Sequence, residues 1–203
     1  FGGEAPHQGQ IKKDLVMFIE TEVTPNPETL KFLPGRTILE TGTASFSDPE
    51  GADASPLAEA MFGLDGVTGV FLGHDFVTIT KSESADWGDV KPQVLAGLMQ
   101  FFASGAPILN HEGAVDTSTA VDEDEADAEI IEQIKTLLDE KIRPAVAGDG
   151  GDIIYRGFKE GVVYLTMQGA CAGCPSSTIT LKHGIENLLK YYVPEVVDVR
   201  AVD

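Results

Sequence analysis

The chain has 203 residues, with 33 acidic and 14 basic side chains and a formal net charge of −19 at pH 7. This charge argues against sequence-independent binding of nucleic acid, which needs lysine and arginine to neutralise phosphates. No apolar run approaches the roughly 18 residues of a membrane helix, and no secretory signal pattern is visible. The only two cysteines lie two residues apart, so a disulfide framework is excluded and a reducing, intracellular setting is favoured.

Residues 1–16 are expected to be a leader or an added segment outside the fold, because they include many glycines and polar residues. Residues 17–109 are predicted to form an α+β domain. Its expected elements are strands at 17–24, 29–33 and 37–40, a helix starting at Ser55-Pro56, a hairpin of 67–72 and 76–80, and a helix over 86–103.

The composition changes between residues 110 and 127, where small and acidic side chains replace the apolar pattern. Such a segment buries too little apolar surface to offset the entropy lost on ordering. We therefore expect a flexible acidic linker between two domains.

Residues 128–203 predict a second α+β domain with the element order α-β-β-α-β. A helix is expected over 128–142, and Pro144 should prevent it from continuing. A glycine-rich turn follows at 148–152. The remaining predicted elements are strands at 153–158 and 161–166, a helix over 176–192 and a strand over 196–202. The predicted fold class is thus two small α+β domains joined by an acidic linker.

Both cysteines, Cys171 and Cys174, fall between a predicted strand and a predicted helix, and Pro175 stands where that helix should begin. Free N–H groups and the positive end of the helix dipole lower the pKa of a thiol in such a place. Because the neighbouring residues are small, we expect both cysteines to be accessible. The pattern indicates a thiolate site.

A CxxC pair has several possible roles. A thioredoxin-like redox pair places its first cysteine at the helix start, whereas here the second is beside it. A structural zinc site needs four ligands, and His183 lies about two helical turns beyond Cys174. An iron–sulfur cluster also needs about four thiolates, and the chain has two. The count favours a site shared by two subunits, with an incidental buried pair as the remaining alternative.

Other polar residues have simpler interpretations. His74 is expected to belong to a hairpin turn and His183 to a helix surface. The glycines at 148–151 lack the spacing of a phosphate-binding loop. Ser176 and Ser177 have no histidine and aspartate partners that would make them nucleophiles.

The second domain resembles the NifU C-terminal domain of Nfu-type iron–sulfur cluster carriers. The resemblance lies in the segment from Gly169 to Thr178, in Arg143-Pro144, and in the run from Asp149 to Asp152. The first half resembles the Nfu N-terminal domain. Its matching residues are Phe18-Ile19, the run from Thr24 to Pro27, Leu30-Lys31-Phe32, and the run from Phe101 to Gly105.

The resemblance implies a scaffold or carrier that is not an enzyme. Cys171 and Cys174 would be its cofactor and metal ligands, binding a [4Fe–4S] cluster, or a [2Fe–2S] cluster, across a homodimer. Its expected partners are apo iron–sulfur proteins and upstream cluster-assembly proteins, with neither nucleic acid nor membrane. We expect a bacterial cytoplasmic location, with the mitochondrial matrix as the alternative. Two other functions stay open: a thiol–disulfide oxidoreductase using the same pair, and an interaction module based on the first domain.

Overall fold

The computed structural model describes residues 18–110, 127–172 and 175–202. The expected leader, nearly all of the expected acidic linker, and Cys174 lie outside these ranges. Two hydrophobic cores, within residues 19–102 and 131–199, divide the described chain into two domains. The predicted fold class is confirmed. The boundaries predicted at residues 109 and 128 stay predictions.

The first domain is a five-stranded antiparallel sheet in the order β1-β2-β5-β4-β3, with two helices packed against it. Ser55 begins the first of these helices by accepting a hydrogen bond from the Ala58 N–H, with Pro56 at the first helical position. The elements are β1 (Glu20–Val23), β2 (Thr29–Leu33), β3 (Ala44–Phe46), a short 3-10 helix (Glu50–Ala54), α1 (Pro56–Phe62), β4 (Val67–Leu72), β5 (Val77–Lys81) and α2 (Trp87–Ser104).

One predicted strand of this domain, at residues 37–40, is wrong. Ile38 and Leu39 are buried, and both of their N–H groups donate to the carbonyl oxygen of His74, at 2.7 and 3.2 Å. Their apolar side chains fill the core from a loop, which produced the strand-like pattern. The third strand in chain order is β3 instead, where no strand was predicted.

The second domain has a three-stranded sheet in the order β6-β7-β8, in which β6 and β7 are antiparallel and β7 and β8 parallel. Its helices and strands follow the predicted α-β-β-α-β order. They are α3 (Ala128–Leu137), a π-helical turn (Leu138–Ile142), α4 (Arg143–Gly148), β6 (Gly151–Lys159), β7 (Val162–Gly169), α5 (Pro175–Tyr192) and β8 (Asp198–Ala201).

The prediction that Pro144 ends the first helix of this domain is also wrong. The chain stays helical to Gly148, with Pro144 in the first turn of α4. A proline has no N–H to donate to the carbonyl one turn earlier. The π-helical turn changes the hydrogen-bond register just before it, and the Arg143 N–H donates to the Leu138 carbonyl oxygen. Proline is then tolerated at the start of a new helical segment.

In the first sheet, β2, β4 and β5 bury side chains on both faces. Phe32, Leu72 and Ile79 lie in the core with the helices. Since strand side chains alternate between the faces, their neighbours Lys31, Phe71 and Thr78 lie on the other face. These three side chains are also buried, and β4 and β5 lie against β7 of the second domain. The second domain therefore covers the face that the helices leave open.

Among the residues that the structure describes, no helix has both the length and the apolar composition needed to cross a membrane.

Candidate metal centre

Cys171 lies on a short loop between β7 and α5, as the sequence predicted. We call residues 170–174 the cysteine loop. The Ala170 N–H donates to the carbonyl oxygen of Gly150, and the Ala172 N–H donates to that of Gly169, both at 3.1 Å. Helix α5 begins at Pro175. These two hydrogen bonds hold residues 170–172 against the end of β7 and the turn before β6.

Two glycines outside the cysteine motif make room for this loop. A Cβ at Gly151 would lie 2.7 Å from the Cys171 Sγ and 2.5 Å from the Gln168 carbonyl oxygen. Gly169 has φ +64°, and a Cβ there would lie 2.6 Å from the Gly150 carbonyl oxygen. Any side chain at Gly151 would collide with the thiol or the adjacent backbone. The small residues next to the cysteines predicted space around them, but the contribution of Gly151 was not predicted.

The Cys171 side chain is buried, with 6% of its surface exposed, and belongs to the core of the second domain. The expectation that this cysteine is accessible is wrong for this structure. Its Sγ packs beside Gly151, inside the hairpin end, instead of pointing out beside the helix start. Cys174, the cysteine closer to the helix, lies outside the described residues.

The electrostatic environment of Cys171 also differs from the prediction. Burial, together with the negative charges of Asp149 and Asp152, raises the pKa of its thiol to about 12. The helix dipole was expected to lower this pKa, but Cys171 precedes the helix by four residues and the dipole effect decays within about one turn. In this conformation Cys171 is a neutral thiol.

Asp152 connects the helical segment to the start of β6. Its carboxylate accepts two hydrogen bonds from the Arg143 guanidinium, at 2.9 and 2.7 Å, and one from the Thr43 hydroxyl of the first domain at 2.9 Å. These carboxylate contacts raise the pKa of Arg143 above its usual range. Two of the runs on which the family resemblance rested, Arg143-Pro144 and Asp149 to Asp152, are therefore joined by a bidentate ion pair.

A groove of about 580 Å³ opens beside Cys171 between α4 and α5. Its walls are mostly apolar, with Val146, Leu181 and Ile185 among them, and Pro25 of the first domain lines it as well. Cys171 therefore has apolar surroundings both from the walls of this groove and from the core of the second domain.

The other predicted ligand candidates are not brought to this site. His183 is exposed on α5, with its Nδ1 4.0 Å from Glu186. The His74 Nδ1–H donates to the Leu39 carbonyl oxygen at 2.8 Å, in its hairpin turn. Within residues 18–110, 127–172 and 175–202, no group of three or more histidine, cysteine, aspartate or glutamate side chains could hold a metal ion.

Two protein-family models match the chain. One is described as the scaffold protein Nfu/NifU N terminal and matches residues 19–105, and the other as the NifU-like domain and matches residues 134–200. The NFU1 iron–sulfur cluster scaffold homolog, mitochondrial, of Homo sapiens is 50% identical over 187 residues. These cover 92% of this chain and 72% of the human protein. The chain belongs to the Nfu scaffold family.

A fly protein and a yeast structure are also similar to this chain. The NFU1 homolog of Drosophila virilis is 50% identical over 195 residues, covering 96% of this Nfu-family chain but only 64% of the fly protein. The chain thus spans less than two thirds of that relative. The solution structure of a NifU-like protein from Saccharomyces cerevisiae is similar over 55% of this chain and 100% of that one, with 26% identity and a TM-score of 0.45.

Family membership confirms the resemblance that was inferred from the cysteine loop and the first-domain runs. The roles of Cys171 and Cys174 as cluster ligands stay predictions. A contact from Asn26 was not predicted: its Nδ2 donates to the carbonyl oxygen of Ala172, the residue after Cys171, at 3.3 Å. The signal available for it was the run from Thr24 to Pro27, which matched the family without suggesting a contact.

Proposed function

We propose that this chain is an iron–sulfur cluster carrier, in which Cys171 and Cys174 of two copies bind one cluster between them. The observation that carries the proposal is the placement of its only two cysteines on one strand-to-helix loop, in a chain of a scaffold family. The cluster is cargo, acquired from an assembly protein and passed to an apo-protein.

The donor set fits this cargo. Thiolates are the usual ligands of iron–sulfur clusters, and about four are needed for each cluster. One chain supplies two. A second copy of the same loop supplies the other two without any further ligand type. Because the ligands come from two chains, the cluster can be released when the pair separates.

Binding requires a change at Cys171. The buried thiol must become accessible and lose its proton, since thiolate is the form that binds iron. Asp149 and Asp152 oppose this ionisation. The positive charge of iron compensates for them when the cluster is bound. Cluster binding therefore releases protons and moves Cys171 out of the position described above.

The proposed partners are apo iron–sulfur proteins, which accept the cluster, and upstream assembly proteins, which supply it. The chain itself catalyses no reaction in this proposal. We propose a mitochondrial location, the alternative from the sequence, because the human and Drosophila relatives are named as mitochondrial. Nothing in these comparisons supports the bacterial cytoplasm that was the first expectation.

Anaerobic reconstitution with ferrous iron and sulfide tests the proposal. We expect about two iron and two sulfide per chain for a [4Fe–4S] cluster in a dimer, and about one of each for a [2Fe–2S] cluster. Cys171→Ser and Cys174→Ser should each abolish the bound iron and the dimer. Ala172→Ser is the matched control, because it changes the same loop and keeps both thiols. Zinc binding alone by a stable monomer, with no iron species, would contradict the proposal.

The alternative of a thiol–disulfide oxidoreductase is not favoured by Cys171. A buried thiol whose pKa is raised to about 12 has little thiolate at neutral pH and attacks disulfides slowly. Reversible oxidation of the two thiols to a disulfide, in the monomer and without iron, would favour this alternative.

A further inference from the structure

The first domain contacts the cysteine loop directly. The Asn26 Nδ2 donates a hydrogen bond to the carbonyl oxygen of Ala172 at 3.3 Å. Ala172 lies between the two cysteines, so this contact occupies the middle of the proposed ligand loop. Pro25, the preceding residue, lines the groove beside Cys171.

Asn26 is held in place by its own turn. Its side chain is 5% exposed, and its Oδ1 accepts from the Glu28 N–H at 3.0 Å. Its carbonyl oxygen accepts from the Thr29 N–H at 3.0 Å and from the Thr24 hydroxyl at 2.8 Å. With its backbone and Oδ1 fixed in this way, the Asn26 amide donor is oriented for the contact at little further entropic cost.

A second contact lies on the other side of the loop. The buried hydroxyl of Thr78, on β5, donates to the Gly150 carbonyl oxygen at 2.7 Å. The same oxygen accepts from the N–H of Ala170, the residue before Cys171. A Cβ at Gly169 would lie 3.0 Å from a ring carbon of Phe71 on β4, so the sheet approaches the end of β7 closely.

A buried charge completes this contact surface. Lys31 is 8% exposed, and its Nζ donates to the Gly148 carbonyl oxygen at 3.1 Å. Its Nζ is also 3.3 Å from a carboxylate oxygen of Glu22 and 4.8 Å from the centre of the Phe76 ring. Lysine is rarely buried without such partners. The contact surface of the first domain therefore includes Asn26, Lys31, Phe71 and Thr78.

We infer that the first domain is an intramolecular cover for the cysteine loop, and that the covered state and the two-copy cluster-bound state exclude one another. This second part rests on the proposed function. A second copy must bring its own loop against Cys171 and Cys174 to share a cluster with them. Asn26 already donates to the backbone of Ala172, the residue that follows Cys171. The domains must separate at this surface before two loops can meet.

Accessibility of Cys171 tests the cover without any iron. The full-length chain with Cys174→Ser has one thiol, and its alkylation by iodoacetamide at fixed pH is followed by mass spectrometry. Asn26→Asp keeps an oxygen that accepts from the Glu28 N–H but removes the donor to Ala172. Thr78→Val keeps the shape and strand preference but removes the donor to Gly150. Their matched controls are Asn110→Asp and Thr68→Val, since both wild-type side chains donate to carbonyl oxygens within the first domain.

We expect each test variant to raise the alkylation rate about five- to tenfold. This is the effect of losing one hydrogen bond from the covered state, which shifts the equilibrium towards the open state. The controls should leave the rate unchanged. The rate of amide hydrogen exchange should increase at residues 148–152 and 169–172 and stay unchanged in the central residues of β6 and β7. This difference distinguishes separation of the two domains from unfolding of the second domain. Unchanged alkylation and exchange in both test variants would overturn the inference.

Cluster reconstitution with the same two test variants, now keeping Cys174, separates the two proposals. Faster formation of the cluster-bearing dimer than in the parent chain supports both. Faster alkylation with no cluster in any variant overturns the carrier function and leaves the cover intact. Equal rates of alkylation and of cluster formation in all variants overturn the cover alone.

Discussion

At the scale of single residues, Cys171 shows how position along a loop decides the chemistry of a thiol. Four residues separate it from the start of α5, and its Sγ lies beside Gly151 in the core of the second domain. Loss of solvation disfavours the thiolate, and Asp149 and Asp152 add repulsion. In the described conformation the Cys171 thiol is therefore protonated.

Removing one of these charges should make Cys171 more reactive. In the Cys174→Ser background, Asp149→Asn should lower the pKa of the Cys171 thiol, because the thiolate loses a repulsive neighbour. Alkylation at pH 8 should rise about two- to fivefold, as expected for a partly screened interaction of about 0.5–1 kcal/mol. The measurement is the rate of alkylation between pH 7 and 10, whose profile should move to lower pH.

Glu132→Gln is the control for this experiment, since Glu132 is exposed on α3 and is not among the charges that act on Cys171. An unchanged profile for Asp149→Asn would show that the charge of Asp149 does not affect the reactivity of the thiol.

At the scale of elements, an ion pair links the helical segment of the second domain to its sheet. The Arg143 guanidinium at the start of α4 donates twice to the Asp152 carboxylate at the start of β6. Asp152 is buried, and its Oδ1 also accepts from the Ile153 N–H at 2.8 Å. The pair thus fixes the turn at Asp149-Gly150, against which the cysteine loop packs.

Asp152→Asn should destabilise the second domain by about 1–2 kcal/mol. It weakens charge-assisted hydrogen bonds to Arg143, and the low end applies because the Arg143 side chain is 40% exposed. Lys190→Gln, which removes an ion pair with Glu186 along α5, should change stability by less than about 0.5 kcal/mol. Urea unfolding, monitored by amide hydrogen exchange in β6, measures the loss of stability in both variants. Equal losses of stability would contradict the role given to Asp152.

At the scale of the whole molecule, two domains with separate hydrophobic cores contact each other through a partly polar surface. Leu98 lies in the first core and Leu165 in the second, each fully buried. The contact between the domains includes hydrogen bonds from Asn26, Lys31 and Thr78. Interfaces of this kind allow domains to move relative to one another.

The two domains should therefore respond separately to core mutations. Leu98→Ala should cost the first domain about 2–5 kcal/mol, from lost burial and the cavity left behind, while the second domain loses far less. Leu165→Ala should do the reverse. Hydrogen exchange at β5 and at β7 under mild denaturant reports the two domains individually. Equal destabilisation of both strands by either mutation would show a single cooperative unit.

Much of the fold could be predicted because local patterns and tertiary structure agree. The alternation in β2, the Ser55-Pro56 start of α1 and the turn between β6 and β7 are set by short-range preferences. The predictions at residues 37–40 and at Pro144 were wrong because the tertiary structure opposes the local pattern. There, burial of a loop and a change of helical register overrode the local signal.

The sequence by itself determined the class of the site: two cysteines, a strand before them, a helix after them and too few ligands for a complete centre in one chain. These properties depend on residue type, spacing and count. Only the tertiary structure decided that Cys171 is buried and protonated, that Gly151 makes room for its sulfur and that Asn26 contacts the loop. Solvation and contacts between distant segments arise from packing, which local patterns do not encode.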